Sequence, residues 1–402
     1  MSERERRIVI TILAVLLPIV SFLAGYFTND YVAFVRGNQP VAGIASAAGG
    51  EMALFNEAWQ LVNDNFLGEM PPPEKLSYAL IRGAMASLDD PYTIFLEPVV
   101  TQDEQISLRG NFGGIGATIS RNEAGEAILT PIPGNPAAEA GIVDGHILLA
   151  VDGVAIAATL TTEEIAQMVR GEKGTTVRLT VRLPEDAESV EIAIVRGDIL
   201  IPSVISRLLP DEPTIGYIHL TRFSGESGGE MADALNNLQG QGVTGIILDL
   251  RGNGGGLVET AVEVADLFIS EGDLLYQQSK RDGEHTYRAT PGDIAPTIPL
   301  VVLVDGSSAS AAEILAGALQ DSGRAPLLGS QTFGKGSVQL IFNLSDGSSV
   351  HITSARWYTP NRHQIDQQGL TPDILRQPTA EEVASGRDVV LEEAVLYLKS
   401  GD

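Results

Sequence analysis

Three serines crowd the stretch Gly306-Ser-Ser-Ala-Ser-Ala-Ala-Glu-Ile314, directly after the apolar run Pro299–Val304. A serine hydroxyl attacks a carbonyl only when a base takes its proton. Ser310-Ala-Ala-Glu313 also fits S-x-x-E, the pattern of an ordinary helix cap, and the local pattern taken alone favours the cap. A strand running into a helix N-terminus is also a place where an oxyanion can be held. In Thr332-Phe-Gly-Lys-Gly-Ser-Val-Gln339 one lysine stands between two glycines. Burial lowers a lysine's pKa towards neutrality and makes it a general base, and flanking glycines let the backbone approach closely. Gln339, four residues on, shares the face of Lys335 if this segment is a strand, and could orient the amine. A third segment, Leu248-Asp-Leu-Arg-Gly-Asn-Gly-Gly-Gly256, ends a buried-looking strand in a glycine loop whose N–H groups suit an oxyanion. It lacks the glycine spacing of the phosphate-binding loops. The histidines (His146, His219, His285, His351 and His363) fall in no metal-binding spacing, and G-x-S-x-G is absent, so a histidine-based triad is neither signalled nor excluded.

The chain that must position these residues has 402 residues, enough for two or three domains, and is 44% hydrophobic. With 26 Lys and Arg against 52 Asp and Glu, its formal net charge is −26. So acidic a body repels nucleic acid and anionic surfaces. It contains no Cys, which removes disulfides, thiol catalysis and thiolate metal sites. Ile8 to Phe27 carries no charge and follows Arg4, Arg6 and Arg7. As a helix it matches a bilayer core, and the arginines place the short N-terminus inside. Residues 1–35 are therefore expected to be a cytoplasmic stub and single-pass membrane anchor through residues 8–27, with the catalytic part extracytoplasmic. A cleaved secretion signal is the alternative.

Residues 36–51 are small and read as a linker. Residues 52–100 read as a helical region, with helices near Phe55–Phe66 and Leu76–Leu88. From about Asn111 the texture changes to short strands and two small helices, a β-rich unit over 101–198. Residues 199–378 alternate strands and helices: strands Ile215–Leu220, Thr244–Leu250 and Leu300–Val304, helices near 229–239 and 257–269, and the helix Ala311–Asp321. Residues 379–402 read as a helical tail. The fold class expected is thus multidomain α/β behind an N-terminal transmembrane helix.

Taken together these segments resemble the carboxy-terminal processing peptidases, or tail-specific proteases. The resemblance runs from about residue 52 to 395 and rests on GSSASAAEILAGALQD (306–321), TFGKGSVQ (332–339), LDLRGNGGG (248–256) and SARWYTP with GLTPDI (354–374). The unit 113–195 is similar to that family's PDZ domain. The resemblance implies an α/β protease core like the crotonase and ClpP ββα spiral. It assigns the nucleophile to Ser310, the base to Lys335, the positioning residue to Gln339 and the oxyanion donors to the backbone N–H of Ala311 and Gly255. Gly113, Gly114, Ile115 and Gly116 become the loop that binds a peptide carboxylate. It implies a serine endopeptidase with no metal or cofactor, acting through an acyl-enzyme on the free C-terminal tails of exported proteins, with a homodimer through the helical ends. The chain departs from the family at Gly254, where a proline is usual, and at His146, where an aspartate is usual. The rival readings are a crotonase-like acyl-CoA enzyme, which needs neither the PDZ-like unit nor the Ser/Lys pair, and a membrane-tethered PDZ scaffold with an inactive protease body.

Overall fold

A computed structural model describes residues 48–183, 188–291, 294–295 and 297–400. The chain divides into two compact units, 1–77 and 78–402. In the first, the helix Ala48–Asn65 starts inside the stretch expected to be linker and stacks Phe55 on Trp59, with ring centroids 6.0 Å apart. The expected transmembrane helix is not supported: among the described residues no helix is long and apolar enough to cross a membrane. Residues 8–27 themselves lie outside the described residues. The fold class is corrected accordingly to a mixed α/β architecture, with no transmembrane helix among the described residues.

The second unit contains a six-stranded sheet that carries the chemistry. Its order runs Val204–Leu209, Glu212–Leu220, Gly245–Asp249, Leu300–Val304, Leu327–Gly329, Ile374–Leu375. The first pair is antiparallel and all later neighbours are parallel. Gly245–Asp249 and Leu300–Val304 are buried at every position, as parallel strands covered on both faces must be. Ile246, Leu248, Leu300 and Val302 face a core shared with the helices Ser227–Gly240, Val258–Asp266 and Ala311–Asp321. Ile247, Val301 and Leu303 face the other way, onto the helix Val389–Ser400. The expected helical tail is two helices, Ala380–Ala384 and Val389–Ser400, interrupted by Gly386 at φ 72°.

Parallel neighbours end on the same edge of a sheet, and ligands gather at the carboxyl ends of such strands. Strands Gly245–Asp249, Leu300–Val304 and Leu327–Gly329 therefore deliver the glycine loop, the Ser310 loop and the Lys335 loop to one place. A second sheet overhangs it. There the long strand Ser349–Tyr358 pairs with Ser337–Asn343 along one side and with Ile94–Leu96 and Asp273–Ser279 along the other. The helix Pro98–Arg109, which no apolar periodicity marks, packs on this sheet through polar contacts: Thr101 Oγ1 to Ser349 Oγ at 2.9 Å and Gln105 Nε2 donating to Asn343 Oδ1 at 2.9 Å.

That helix ends at Gly110, whose φ of 81° turns the chain into the strand Asn111–Gly114. The β-rich unit follows: antiparallel strands Ala117–Arg121, Ala127–Pro131, His146–Val151, Thr176–Arg182 and Val190–Val195, with the helix Thr162–Val169, around their own core of Leu129, Ile165, Leu179 and Ile194. His146 lies in its turn 143–146 and is not part of any site. Its Nδ1 accepts the N–H of Val143 at 2.9 Å, the role a carboxylate would fill there.

Candidate active site

Of the three serines, only Ser310 is presented to a cavity. Ser308 is fully buried and is used as structure: its Oγ donates to Leu250 O at 2.8 Å and accepts from Asp305 N at 3.0 Å. Ser307 lies on the surface, its N–H bound to Asp305 Oδ1 at 2.9 Å. Ser310 stands at the N-terminus of helix Ala311–Asp321 with φ 56° and ψ −117°. A side chain there is strained by about 1–3 kcal/mol, and such strain persists only where the surroundings enforce it. The enforcing group is Glu313. Its carboxylate is fully buried and accepts from Ser310 N at 2.9 Å, Thr332 Oγ1 at 2.5 Å, Gly334 N at 2.7 Å and Lys335 N at 2.9 Å. One acid thus fixes the backbones of the candidate nucleophile and the candidate base together.

The Lys335 loop is held from its other side as well. Trp357 Nε1 donates to Lys335 O at 3.1 Å, and Trp357 N donates to Gly336 O at 3.0 Å. A methyl group on Gly336 would lie 2.4 Å from Asp366 N, so this close approach requires glycine. The Lys335 side chain is half-buried, with its ammonium 5.2 Å from the centre of the Tyr92 ring. Among the described residues the ion-paired lysines are Lys173, with Asp198, and Lys399, with Glu212; Lys335 has no such partner. Burial pulls its pKa below the ordinary lysine value, opposed by the charge of Glu104. In this state no hydrogen bond joins Lys335 Nζ to Ser310, and Gln339 Nε2 donates to Ser337 Oγ at 3.3 Å rather than meeting the lysine. The strand begins only at Ser337 and carries a bulge at Val338 and Gln339, so simple alternation does not relate Lys335 to Gln339.

The glycine loop abuts the serine. Asn253 is fully buried, donating through Nδ2 to Leu220 O at 2.8 Å, while its own carbonyl takes Ala309 N at 2.9 Å. A methyl group on Gly255 would lie 2.8 Å from Ser310 Cβ and 3.0 Å from Ala311 N. Ala311 N–H, in the first turn of its helix, has no acceptor among the described residues. Gly255 N–H, expected to be the second oxyanion donor, is bound to Asn253 Oδ1 at 2.9 Å. At Gly254 a side chain would meet nothing within 4 Å, so the absent proline leaves no steric trace.

Ser310, Lys335, Gln339 and Gly254–Gly256 all line one cavity of about 430 Å³, roofed by Glu104, Ser107 and Leu108 of the helix Pro98–Arg109. Sequence reasoning missed Glu104 and passed over His351. His351 is buried on the strand Ser349–Tyr358, and its Nε2 lies 2.9 Å from Glu104 Oε2, out of line for a hydrogen bond. No group of acids and histidines able to hold a metal occurs among the described residues.

The glycine-rich loop expected to bind a carboxylate borders a second cavity, of about 220 Å³, between the strand Ala117–Arg121 and the helix Thr162–Val169. Gly114, Ile115 and Gly116 line it. A methyl group on Gly113 would lie 2.0 Å from Gly171 O, and Gly116 has φ 69°, so both positions require glycine. Ile115 O and Gly116 O accept from Ala137 N at 2.7 Å and Ile132 N at 2.8 Å, while the N–H groups of both residues have no acceptor among the described residues. Phe112, Ile119, Ala166 and Val169 supply the apolar part of the remaining wall, and Thr162, Glu163 and Arg170 the polar part.

Comparison with known proteins identifies the family. The pattern of peptidase family S41 matches residues 214–376, and that of a PDZ domain matches residues 128–183. The chain is 36% identical over 375 residues to the carboxyl-terminal-processing protease of Synechocystis sp., covering 87% of each chain. It is 34% identical over 343 residues to the carboxy-terminal processing protease CtpA of Bacillus subtilis, covering 85% of this chain and 72% of that one. Among solved structures it is similar to the photosystem II D1 C-terminal processing protease, at 31% identity over 85% of this chain and 98% of that chain, with a TM-score of 0.46. These matches make it a serine-type peptidase that carries a PDZ domain and acts on protein substrates. The chain belongs to peptidase family S41, among the carboxyl-terminal processing proteases.

Proposed function

We propose that Ser310 is the nucleophile and Lys335 its general base in an endopeptidase that works through an acyl-enzyme on proteins with a free C-terminus. The observation that carries this reading is one shared cavity. In it a serine held in a strained conformation shares the space with a half-buried lysine that has no ion-pair partner among the described residues. Neutral Lys335 takes the Ser310 hydroxyl proton as Oγ attacks the peptide carbonyl. The protonated amine then gives that proton to the leaving amine, and water hydrolyses the ester. Ala311 N–H and Gly255 N–H, once turned out of its bond to Asn253, hold the oxyanion. Gln339 orients the amine after leaving Ser337. The state described is then a resting one, in which the ammonium sits on Tyr92 and must swing to Ser310 before reaction.

The PDZ domain, proposed over residues 101–198 beside a core over 199–378, takes the substrate carboxylate on the N–H groups of Gly113–Gly116 and its last side chain in the apolar groove. Exported proteins are the proposed substrates, because Arg4, Arg6 and Arg7 followed by an uncharged apolar run form the pattern of an export signal. The test is fluorophosphonate labelling together with cleavage of unstructured peptides by the parent, Ser310→Ala and Lys335→Ala. Labelling at Ser310, with both variants slowed by about 10⁴-fold or more, is expected. Parental cleavage by either variant refutes the dyad.

A further inference from the structure

Lys335 is the member of the proposed dyad whose side chain is out of place, and its backbone is not the reason. Glu313 accepts the Lys335 N–H at 2.9 Å, and Trp357 Nε1 donates to the Lys335 carbonyl at 3.1 Å, so the loop is fixed from both sides. Rotation of the side chain is what remains to carry the amine to Ser310, which lines the same cavity. At present the ammonium lies over the ring of Tyr92, 5.2 Å from its centre.

That ring is itself anchored. Asp90 accepts the Tyr92 N–H at 3.1 Å and the Thr93 hydroxyl at 2.6 Å, and Thr353 N donates to Thr93 Oγ1 at 3.2 Å. Ile94 pairs with His351. Tyr92 is thereby tied to the strand Ser349–Tyr358, the strand from which Trp357 pins the Lys335 loop. The Tyr92 hydroxyl makes no hydrogen bond among the described residues, so what Tyr92 offers the lysine is its ring.

An aromatic face attracts a cation, and a neutral amine has no charge for it to act on. The hold on Lys335 therefore exists only while the amine is protonated, and a protonated amine cannot serve as a base. Resting on the dyad reading above, we infer that Tyr92 is a positioning residue that parks the charged lysine away from Ser310 and releases it when the amine gives its proton to water. One ionisation then does two things: it makes the base, and it frees the base to reach the serine. The ring favours the protonated form, and so works with the charge of Glu104 against the burial that lowers the Lys335 pKa. The other charged or titratable groups nearby are His351 and Glu259 on the cavity wall, and Asp366, Glu313 and Asp90, whose charges act on Tyr92.

The test is a direct titration of Lys335 in the full chain by NMR of isotope-labelled lysine side chains. The chain has five lysines, and Lys335→Arg identifies the resonance. Tyr92 is replaced by phenylalanine, by a trifluorinated phenylalanine of nearly the same shape but without the negative ring face, and by leucine. In Tyr92→Phe, Lys335 is expected to ionise near its parental pH. With the fluorinated ring and in Tyr92→Leu it is expected to ionise about 0.4–1.5 pH units lower, the size of one cation–π contact. The rising limb of kcat/KM should move down by the same amount. Its position, not the height of the plateau, is the readout, because a ring with only a packing role would change the height and leave the ionisation where it was. Equal ionisation with the fluorinated and plain rings overturns the inference, and so does an upward shift. If Tyr92→Leu does not fold, the fluorinated ring, which keeps the shape, still decides. Titration in a Ser310→Ala background keeps the two readings apart: it reads the hold of Tyr92 without turnover, whereas failure of Ser310 to label with a fluorophosphonate removes the dyad.

Discussion

Three helices in this chain begin with the same words, a hydroxyl residue followed three positions later by glutamate, and one of them does something different. At Thr161 and Thr379 the pattern yields a true capping box: each threonine is extended, at φ −73°, and its hydroxyl accepts the glutamate N–H, at 3.2 Å and 3.3 Å, while Glu164 and Glu382 accept the threonine N–H. At Ser310 the backbone is instead at φ 56°, and Glu313, though it still takes the Ser310 N–H, has three further donors from the loop that carries Lys335. The difference is burial. Glu164 closes its own helix end, and the partly exposed Glu382 adds only a contact with Arg376 near its own helix. A buried one must be satisfied on every side, and satisfying Glu313 draws in another loop.

The largest test of this contrast is Ser310→Ala against Thr379→Ala. The first is expected to cut peptide cleavage about 10⁴-fold or more; the second costs about 1 kcal/mol of stability and leaves cleavage at the parental rate. Equal losses in a kinetic assay would erase the distinction. Next is Glu313→Gln against Glu382→Gln. With a neutral amide among N–H donors, Glu313→Gln should lower kcat/KM about 10²-fold and stability by about 1–3 kcal/mol by denaturant titration. Glu382→Gln, on the surface, should cost under about 1 kcal/mol.

A third measurement addresses Lys335, the proposed base, whose backbone Glu313 holds. Only the neutral amine accepts a proton, so kcat/KM should rise with pH through the Lys335 ionisation, at a pH below the ordinary lysine value because burial lowers it. Glu104 opposes that lowering, so Glu104→Gln should move the limb to still lower pH. A limb that stays put or moves up would remove Glu104 from the site. The smallest effect is conformational. Glycine adopts positive φ without strain, so Ser310→Gly should be about 1 kcal/mol more stable than Ser310→Ala, and at Thr379, where φ is negative, the same pair should differ by roughly 0.7 kcal/mol through the poorer cap of alanine alone. Thermal midpoints would show both.

The sequence made some of this legible and hid the rest for physical reasons. The helix Ala311–Asp321 falls where its apolar spacing and its S-x-x-E start put it. The fully apolar strand Leu300–Val304 is equally plain. Ser310, Lys335 and the glycine loop stood out because each combines a reactive or permissive residue with glycine. The helix Pro98–Arg109 was invisible because Val99 and Val100 are exposed and it docks through Thr101, Glu104 and Gln105, so no apolar stripe betrays it. The hairpin Asp273–Ser279 and Gly283–Arg288 is largely polar and gave no alternation for the same reason. His351 was one histidine among five until the fold placed it against Glu104.

Arg251, just ahead of the glycine loop, binds Asp249 behind it and makes a two-point contact at 2.8 Å with Asp388, which introduces the helix Val389–Ser400. Docking of the helix Val389–Ser400 thus ties the glycine loop to a segment 137 positions further along the chain.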